Sequence, residues 1–426
     1  MVIEKPGLFV TRREFIVTML LLALVVVLRL GWVYRDYRHF ITQPFVYTHA
    51  VIINTYPKTR EGRTYAVLKL HTDQGRVIYT TAYRRDLRRG MRLYLQLLPG
   101  TKIGVWDYLG GMYCKSRIKR VETPEPNLRS RLEAWVNRQH TLPMMRAFYN
   151  GIFWASPIPK ELREPIARLG ISHLVALSGF HLGILWGVLY GVLLWIYRPM
   201  QQRYFPWRHA LADVGIVVMI LLGLYLWLTG SPPSLVRSYA MLLVGWGMVL
   251  MGIELVSFTF LVTIAAVLLA LFPPLVVSLG FWLSISGVFY IFLVLSYCQK
   301  ASRNLVALVC IPVGIFVLMQ PLVHGIFGVT TVWQLLSPIL SLGFIVFYPL
   351  SMVLHLVGHG GILDGALIGL FSLPKAGSEH LLPWWGVVGY GVLSLMAIWK
   401  RWAMGMLLVV AVGYVGYLFG YGKIFP

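Results

Sequence analysis

Runs of about twenty apolar residues recur through this chain, and no other feature limits its possible folds so strongly. The first is Phe15 to Val33. Later ones fall near residues 172–197, 211–228, 234–253, 256–272, 275–297, 304–320, 332–357, 382–398 and 402–420. Each is close to the length an α-helix needs to cross a hydrocarbon layer of ~30 Å. None alternates with the period of two that barrel strands show. A mean hydropathy of +0.70, with 58% hydrophobic and only 13% charged residues, is more apolar surface than a soluble chain of 426 residues needs. The expected fold class is a polytopic α-helical membrane protein with about ten or eleven transmembrane or re-entrant segments. The Gly-rich stretch from His355 to Phe371 fits either a re-entrant element or a full crossing.

Basic residues orient these runs. Lys5, Arg12 and Arg13 precede the first one, which is too long for a signal-peptide core and lacks a small-residue cleavage pattern after it. Residues 1–34 are therefore expected to be an uncleaved transmembrane anchor with a cytoplasmic N-terminus. Arg198, Arg203 and Arg208 mark one cytoplasmic loop, Lys300 and Arg303 a second, Lys400 and Arg401 a third.

Residues 45–125 break the pattern. They are polar and rich in β-branched and aromatic residues, with candidate strands at Phe45–Asn54, Arg63–His71, Arg76–Ala82, Met91–Leu98 and Tyr113–Val121. Turn signals lie between them at Tyr56-Pro57, Asp73-Gln74-Gly75, Arg89-Gly90 and Pro99-Gly100. Five short strands fit a small all-β, OB-fold-like barrel, placed outside the cytoplasm by the preceding helix; another small β-domain would fit the strand count as well. Residues 51–120 carry 15 Lys and Arg against four acidic residues, an excess of +11 and half of the formal +22 of the whole chain. Whole translocated domains escape the positive-inside bias, so this charge points to a partner: phosphate backbone or acidic headgroups. Tyr79 and Tyr83 lie beside Arg84, Arg85, Arg88 and Arg89, the mixture of stacking platforms and cations with which OB folds hold single strands. A charged loop at the headgroups would have the same composition.

Residues 126–170 read as an amphipathic connector. Leu128, Leu132, Trp135 and Val136 suggest a helix lying along the membrane surface, and Leu162–Leu169 a second short one. After it comes Ile171-Ser-His-Leu-Val-Ala-Leu-Ser-Gly-Phe-His-Leu-Gly183, a long apolar segment with His173, Ser178, Gly179 and His181 at its entrance. Polar groups at membrane depth are costly without partners or a water-filled cavity. At the headgroups the same residues would be cheap. Arg237 lies three residues after Ser234 at the start of another run. It can snorkel to the headgroups, or contact a phosphate with its donor fork.

The stretch 171–183 resembles the signature of the ComEC family of competence proteins. Thr229-Gly-Ser-Pro-Pro-Ser-Leu-Val-Arg-Ser-Tyr-Ala-Met241 is similar to that family's Pro-Ser-x-x-Arg element. Leu271 to Gly287 resembles its Gly-Phe-x-Leu-Ser element, which includes Ser284. Gly104-Val-Trp-Asp-Tyr-Leu109 resembles the stretch closing its OB domain. The resemblance implies a bacterial inner-membrane channel, residues 171–426, that passes single-stranded transforming DNA. It implies a translocation path lined by His173, Ser178, Gly179, His181, Ser234, Arg237 and Ser284, and DNA contacts at Tyr79, Tyr83, Arg84, Arg85, Arg88 and Arg89. Implied partners are single-stranded DNA, membrane lipids, a periplasmic DNA-receptor protein, a separate cytoplasmic motor and, for the other strand, a separate nuclease.

The sequence also departs from that family. Many members end in a metallo-β-lactamase-like domain, but no His-x-His-x-Asp-His cluster occurs here, so the form lacking that domain is expected. The family's later Asn is replaced in Gln334-Leu-Leu-Ser337-Pro338. Cys114 is alone in the β domain, with Cys298 and Cys310 in or near the membrane, so no internal bridge closes that domain. No Gly-x-x-x-x-Gly-Lys-Ser/Thr loop is present, and no cofactor or metal site and no enzymatic activity are expected. His355 and His359 have metal-ligand spacing but sit among glycines without the Glu of a His-Glu-x-x-His site. Two other functions stay open. One is a transporter or flippase for another anionic, lipid-linked substrate. The other is an intramembrane serine hydrolase using Ser178 and His181, although Ala176 stands where a nucleophile elbow has Gly.

Overall fold

A computed structural model describes residues 8–9, 11–60, 63–84, 86–100, 102–123, 127–252, 257–374 and 377–420. The chain divides into two compact units: Phe9–Ser130 with Val262–Trp282, and Arg131–Leu261 with Leu283–Pro426.

The first unit joins a long helix to a β domain. Helix α1 (Arg12–Thr42) starts where the Thr11 side chain accepts the Glu14 N–H at 3.2 Å. Its 31 residues outrun the apolar stretch, so its last turns leave the hydrocarbon length behind. Those turns carry Phe40, which is buried in the β core with Leu68, Leu70, Leu93 and Leu95. The Tyr37 hydroxyl donates to the Ile103 carbonyl at 2.9 Å, and the Arg76 guanidinium lies 4.6 Å from the Tyr108 ring centre.

The strands are β1 (Val46–Arg60), β2 (Arg63–Thr72), β3 (Val77–Ala82), β4 (Arg92–Leu98), β5 (Met112–Tyr113) and β6 (Lys115–Glu122). Period-two alternation builds their core: Ile78, Thr80 and Ala82 point in from β3, and Leu93, Leu95 and Leu97 from β4. The sheet order is β5-β3-β2-β1-β4-β6, with the β3–β5 pair parallel and the others antiparallel. Only Cys114 separates β5 from β6, so one run of chain edges both β3 and β4, and the sheet curls back on itself. The seam is held by the Cys114 N–H on the Tyr79 carbonyl (2.9 Å) and by Thr80 Oγ1 against Ser116 Oγ (2.8 Å). Cys114 is buried here, and burial pushes its thiol up. The strands expected from sequence are all present, but the fifth is split at Cys114. The Gly104–Leu109 motif forms a short helix, α2 (Val105–Gly110), whose Asp107 carboxylate accepts the Gly104 N–H at 3.2 Å.

Apart from a short antiparallel pair, Val329–Thr330 with Ser378–Glu379, the remaining elements are helical: α3 (Leu128–Arg138), α4 (Pro143–Trp154), α5 (Lys160–Arg168), α6 (Ser172–Val175), α7 (Gly179–Tyr204), α8 (Ala210–Leu228), α9 (Pro233–Leu250), α10 (Phe258–Leu271), α11 (Leu279–Tyr297), α12 (Arg303–Leu305) continuing through a π-helical turn into α13 (Ile311–His324), α14 (Ser337–Leu356), α15 (Asp364–Phe371), α16 (Trp384–Met396) and α17 (Arg401–Gly420). Among the described residues, eight helices have the length and apolarity to cross a membrane. Three shorter apolar ones, Phe258–Leu271, Gly360–Phe371 and Trp384–Met396, do not reach that length. The chain is thus a multi-pass membrane protein, with eight of the expected ten or eleven segments at full spanning length. His355–Phe371 is one of the short cases: α14 ends at Leu356 and a separate short helix follows.

The segment read as a surface connector does more than connect. Met145, Phe148, Tyr149, Ile152 and Phe153 of α4 are buried in one core with Leu182 of α7, Leu222 of α8 and Tyr348 of α14. Every residue of α4 from Phe148 to Trp154 is buried, the pattern of a helix whose second half is enclosed rather than lying on a surface.

Candidate functional site

The signature folds as helix, break, helix. After α6 the chain leaves helical geometry at Ala176–Ser178, and α7 begins at Gly179. The break frees backbone groups inside an apolar core, so they need other partners. The Leu177 carbonyl accepts the Ser234 hydroxyl of α9 at 2.8 Å. The Ser178 N–H donates to His181 Nδ1 at 3.3 Å, and Ser178 Oγ lies at the same distance. Upstream, the Gly170 carbonyl accepts the Ser337 hydroxyl at 3.2 Å. His173 Nε2 lies 3.3 Å from Ser341 Oγ, whose own proton goes to the Ser337 carbonyl at 2.7 Å. The break is therefore held by the start of α9, and the segment leading into it, Gly170 and His173, by the start of α14. The segment Gln334–Pro338 takes part through Ser337, and Gln334 Nε2 donates to the Val329 carbonyl at 2.8 Å.

Gly179 is fixed by close packing. A Cβ there would lie 2.7 Å from Ser238 Oγ and 3.1 Å from Ser238 Cβ, so α7 can approach α9 only without a side chain at this position. His181 is fully buried, with its ring edge-on to Phe344 (5.1 Å) and Tyr348 (4.9 Å). Since Nδ1 accepts, the neutral ring carries its proton on Nε2, and that atom has no hydrogen-bond partner among the described residues. A buried donor left unmade costs on the order of 1–3 kcal/mol, so its presence calls for a reason.

The proposed path residues are not all brought together. Ser178, Gly179, His181 and Ser234 form one constellation, and His173 joins its α14 side. Arg237 is half-buried one turn beyond Ser234 on α9. Ser284 is exposed on α11 and shares no contact with this group among those described. Neither alternative reading of the histidines gains support. Among the described residues no carboxylate bonds His181 as the orienting group of a hydrolase base would, and its ring lies against Phe344 and Tyr348. His355 has both ring nitrogens engaged, by His140 Nε2 (2.9 Å) and the Ser351 carbonyl (2.6 Å), while His359 is exposed, so the i, i+4 pair does not converge on a metal.

The β domain presents a second arrangement. Tyr79 and Tyr83 lie on the outer face of β3 and its extension, and Tyr83 is 75% exposed. Lys69 Nζ sits 5.8 Å from the Tyr79 ring centre, Tyr65 lies 6.3 Å from Tyr83, and Thr81 Oγ1 lies 3.2 Å from the Tyr113 hydroxyl. The sequence pattern does not by itself mark Tyr65, Lys69 and Tyr113; the outward parity of β2 is the signal that finds the first two, and Tyr113 reaches the same face from β5. Arg84 is turned onto Asp86 through two contacts of 3.1 and 2.6 Å, and its guanidinium holds the Asp86 carboxyl below the usual carboxylate range. Arg88 and Arg89 follow in the loop before β4, and Arg85 lies outside the described residues.

Comparison with known proteins accounts for the signature. An uncharacterized protein of Escherichia coli K12, YcaI, is 26% identical over 267 residues, which is 57% of this chain and 35% of that protein. An uncharacterized protein of Aquifex aeolicus is 27% identical over 220 residues, 51% of this chain and 46% of its own. The chain thus spans less than half the length of these two relatives. No solved structure gives a significant match. The profile of the competence protein family matches residues 155–420. That range runs from the end of α4 through the clamped break to α17, more than half of the sequence, and the chain belongs to the competence protein family.

Proposed function

We propose that this protein passes single-stranded DNA across the bacterial inner membrane, with its N-terminus in the cytoplasm and its β domain outside. The observation that carries the reading is the break at Ala176–Ser178, where an apolar segment is interrupted and its polar groups are clamped between two other helices. Broken helices at membrane depth are tolerated where they line a cavity or pathway. His181, whose ring donor has no partner among the described residues, and Arg237, one turn from Ser234, supply the sparse donors a moving polyanion needs. A dense basic ring would hold each phosphate too tightly. The closed strand order, with a parallel β3–β5 pair, supports reading the β domain as an OB-type barrel whose Tyr79–Tyr83 face receives the strand. Energy, the docking of incoming DNA and removal of the other strand fall to separate proteins in this scheme.

Uptake of labelled DNA into cells tests it. Arg237→Ala should abolish or sharply reduce entry while protein level and surface DNA binding stay intact. Arg237→Lys should keep part of the activity if charge alone matters. Wild-type entry by Arg237→Ala would demote this residue to a headgroup anchor. Intact transformation together with loss of a lipid-linked intermediate would favour a flippase.

A further inference from the structure

We infer that His140, His355 and Asp364 form a buried proton-binding site that locks the α3–α4 turn to the end of α14 and the start of α15. His140 Nδ1 lies 3.0 and 2.9 Å from the two oxygens of Asp364. His140 Nε2 lies 2.9 Å from His355 Nε2, and His355 Nδ1 lies 2.6 Å from the Ser351 carbonyl. Both rings are buried.

The protons in this array can be counted. A carbonyl only accepts, so His355 Nδ1 carries one proton. One more must lie between the two Nε2 atoms, and a third between His140 Nδ1 and the carboxylate. A carboxylate and two neutral imidazoles supply two. The array therefore binds one proton beyond them and becomes neutral overall, either as carboxylate–imidazolium–imidazole or as carboxylic acid–imidazole–imidazole. The count is the same in both. Without that proton one of the two contacts of His140, to His355 or to Asp364, has no hydrogen between its lone pairs.

The surroundings are built around the pair. The Tyr149 ring stacks on His140 at 4.4 Å and 12°. Trp135 Nε1 and Gln139 Nε2 donate to the His355 carbonyl at 2.8 and 3.0 Å, and Gln139 Oε1 accepts the Gly360 N–H at 2.7 Å. A Cβ on Gly360 would lie 2.5 Å from His355 Nε2, so the backbone covers the array only because glycine stands there. The charged groups facing it are Asp364 and Arg146, whose Nε donates to the His140 carbonyl at 2.9 Å. The other titratable groups are Tyr149, whose hydroxyl burial pushes up, and His359, exposed with Nδ1 3.0 Å from the Val357 carbonyl.

The test uses the full chain in lipid nanodiscs with 15N-labelled histidine. At pH 7 the His140–His355 pair should give the ring nitrogen shifts of one shared extra proton. Two neutral rings with free Nε2 lone pairs at pH 7 would overturn the site. His355→Gln offers His140 an amide donor without an extra proton, so the His140 ring should become neutral with its proton on Nδ1 toward Asp364. A His140 ring that keeps the wild-type nitrogen shifts in His355→Gln would also overturn it. If His355→Gln fails to fold, the wild-type spectrum decides.

Discussion

Gly179→Ala is the sharpest test of the clamped signature. The new Cβ would sit 2.7 Å from Ser238 Oγ and 3.1 Å from Ser238 Cβ. Ser238 cannot rotate freely, because its hydroxyl donates to the Ser234 carbonyl at 2.9 Å. Overpacking of this kind costs ~1–3 kcal/mol, and giving up that hydrogen bond adds ~0.5–1.5 kcal/mol. Alanine recovers up to ~1 kcal/mol of helix propensity, less at a first-turn position. The net expectation is a destabilisation of ~1–4 kcal/mol, and even its lower end is a factor of roughly 5 in the folded ratio. Because Ser234 also holds the freed Leu177 carbonyl, the strain reaches the break itself, and DNA entry should fall further than stability does.

Graded rescue separates this geometry from a general loss of fitness. Ser238→Ala removes the 2.7 Å contact but leaves the 3.1 Å one; Ser238→Gly removes both. In the Gly179→Ala background Ser238→Ala should restore part of the stability and Ser238→Gly most of it, with a coupling of ~1–2 kcal/mol in the double-mutant cycle. Denaturation of the reconstituted protein and labelled-DNA uptake are the two readouts. Additive effects, or a neutral Gly179→Ala, would refute the close packing of α7 on α9.

Three further outcomes are expected. In a cysteine-free background, an impermeant maleimide applied from outside should label Lys58→Cys and fail on Gln202→Cys; the reverse would invert the proposed orientation. The β domain should bind single-stranded DNA with little sequence preference, and replacing Arg84, Arg88 and Arg89 with Ala should flatten the slope of log affinity against log salt by up to ~2, at about 0.7 per lost phosphate contact. Cys114, buried with its thiol pushed up, should resist maleimide in the folded protein at pH 7–8 and react once unfolded. The stability gained from its neutral thiol is intact below the ordinary value of 9.0 and fades as pH climbs through the raised folded one.

The spans and strands were legible because each obeys a local period. Apolar runs near 211–228 and 402–420 became α8 (Ala210–Leu228) and α17 (Arg401–Gly420), and alternation in Met91–Leu98 became β4. Period said less where an element is enclosed: α4 looked like part of a linker because its flanks are polar and Pro-rich, while its interior is buried against helices far along the chain. The signature residues were legible as a motif, but not their clamp. Ser234, Ser337 and Ser341 reach it from other helices, and Ser284, picked from an equally suggestive motif, does not.

His355 shows why spacing misleads inside an apolar chain. Its i, i+4 relation to His359 is the visible pattern, yet its ring is paired with His140, 215 residues away, and through that ring with Asp364. A buried polar side chain must find a partner, and in a helical bundle the partner comes from another helix, at no fixed sequence distance. What the sequence does keep is the room for that meeting. Gly360 lies over the His355 ring and Gly179 lies against Ser238, each where a Cβ would collide with a polar side chain. Both glycines sit beside a break in an apolar run, the one place a backbone must come close enough to seal polar groups from the apolar phase. A glycine at such a junction marks the polar site, and the histidines near it then need a partner sought across the bundle rather than along the helix.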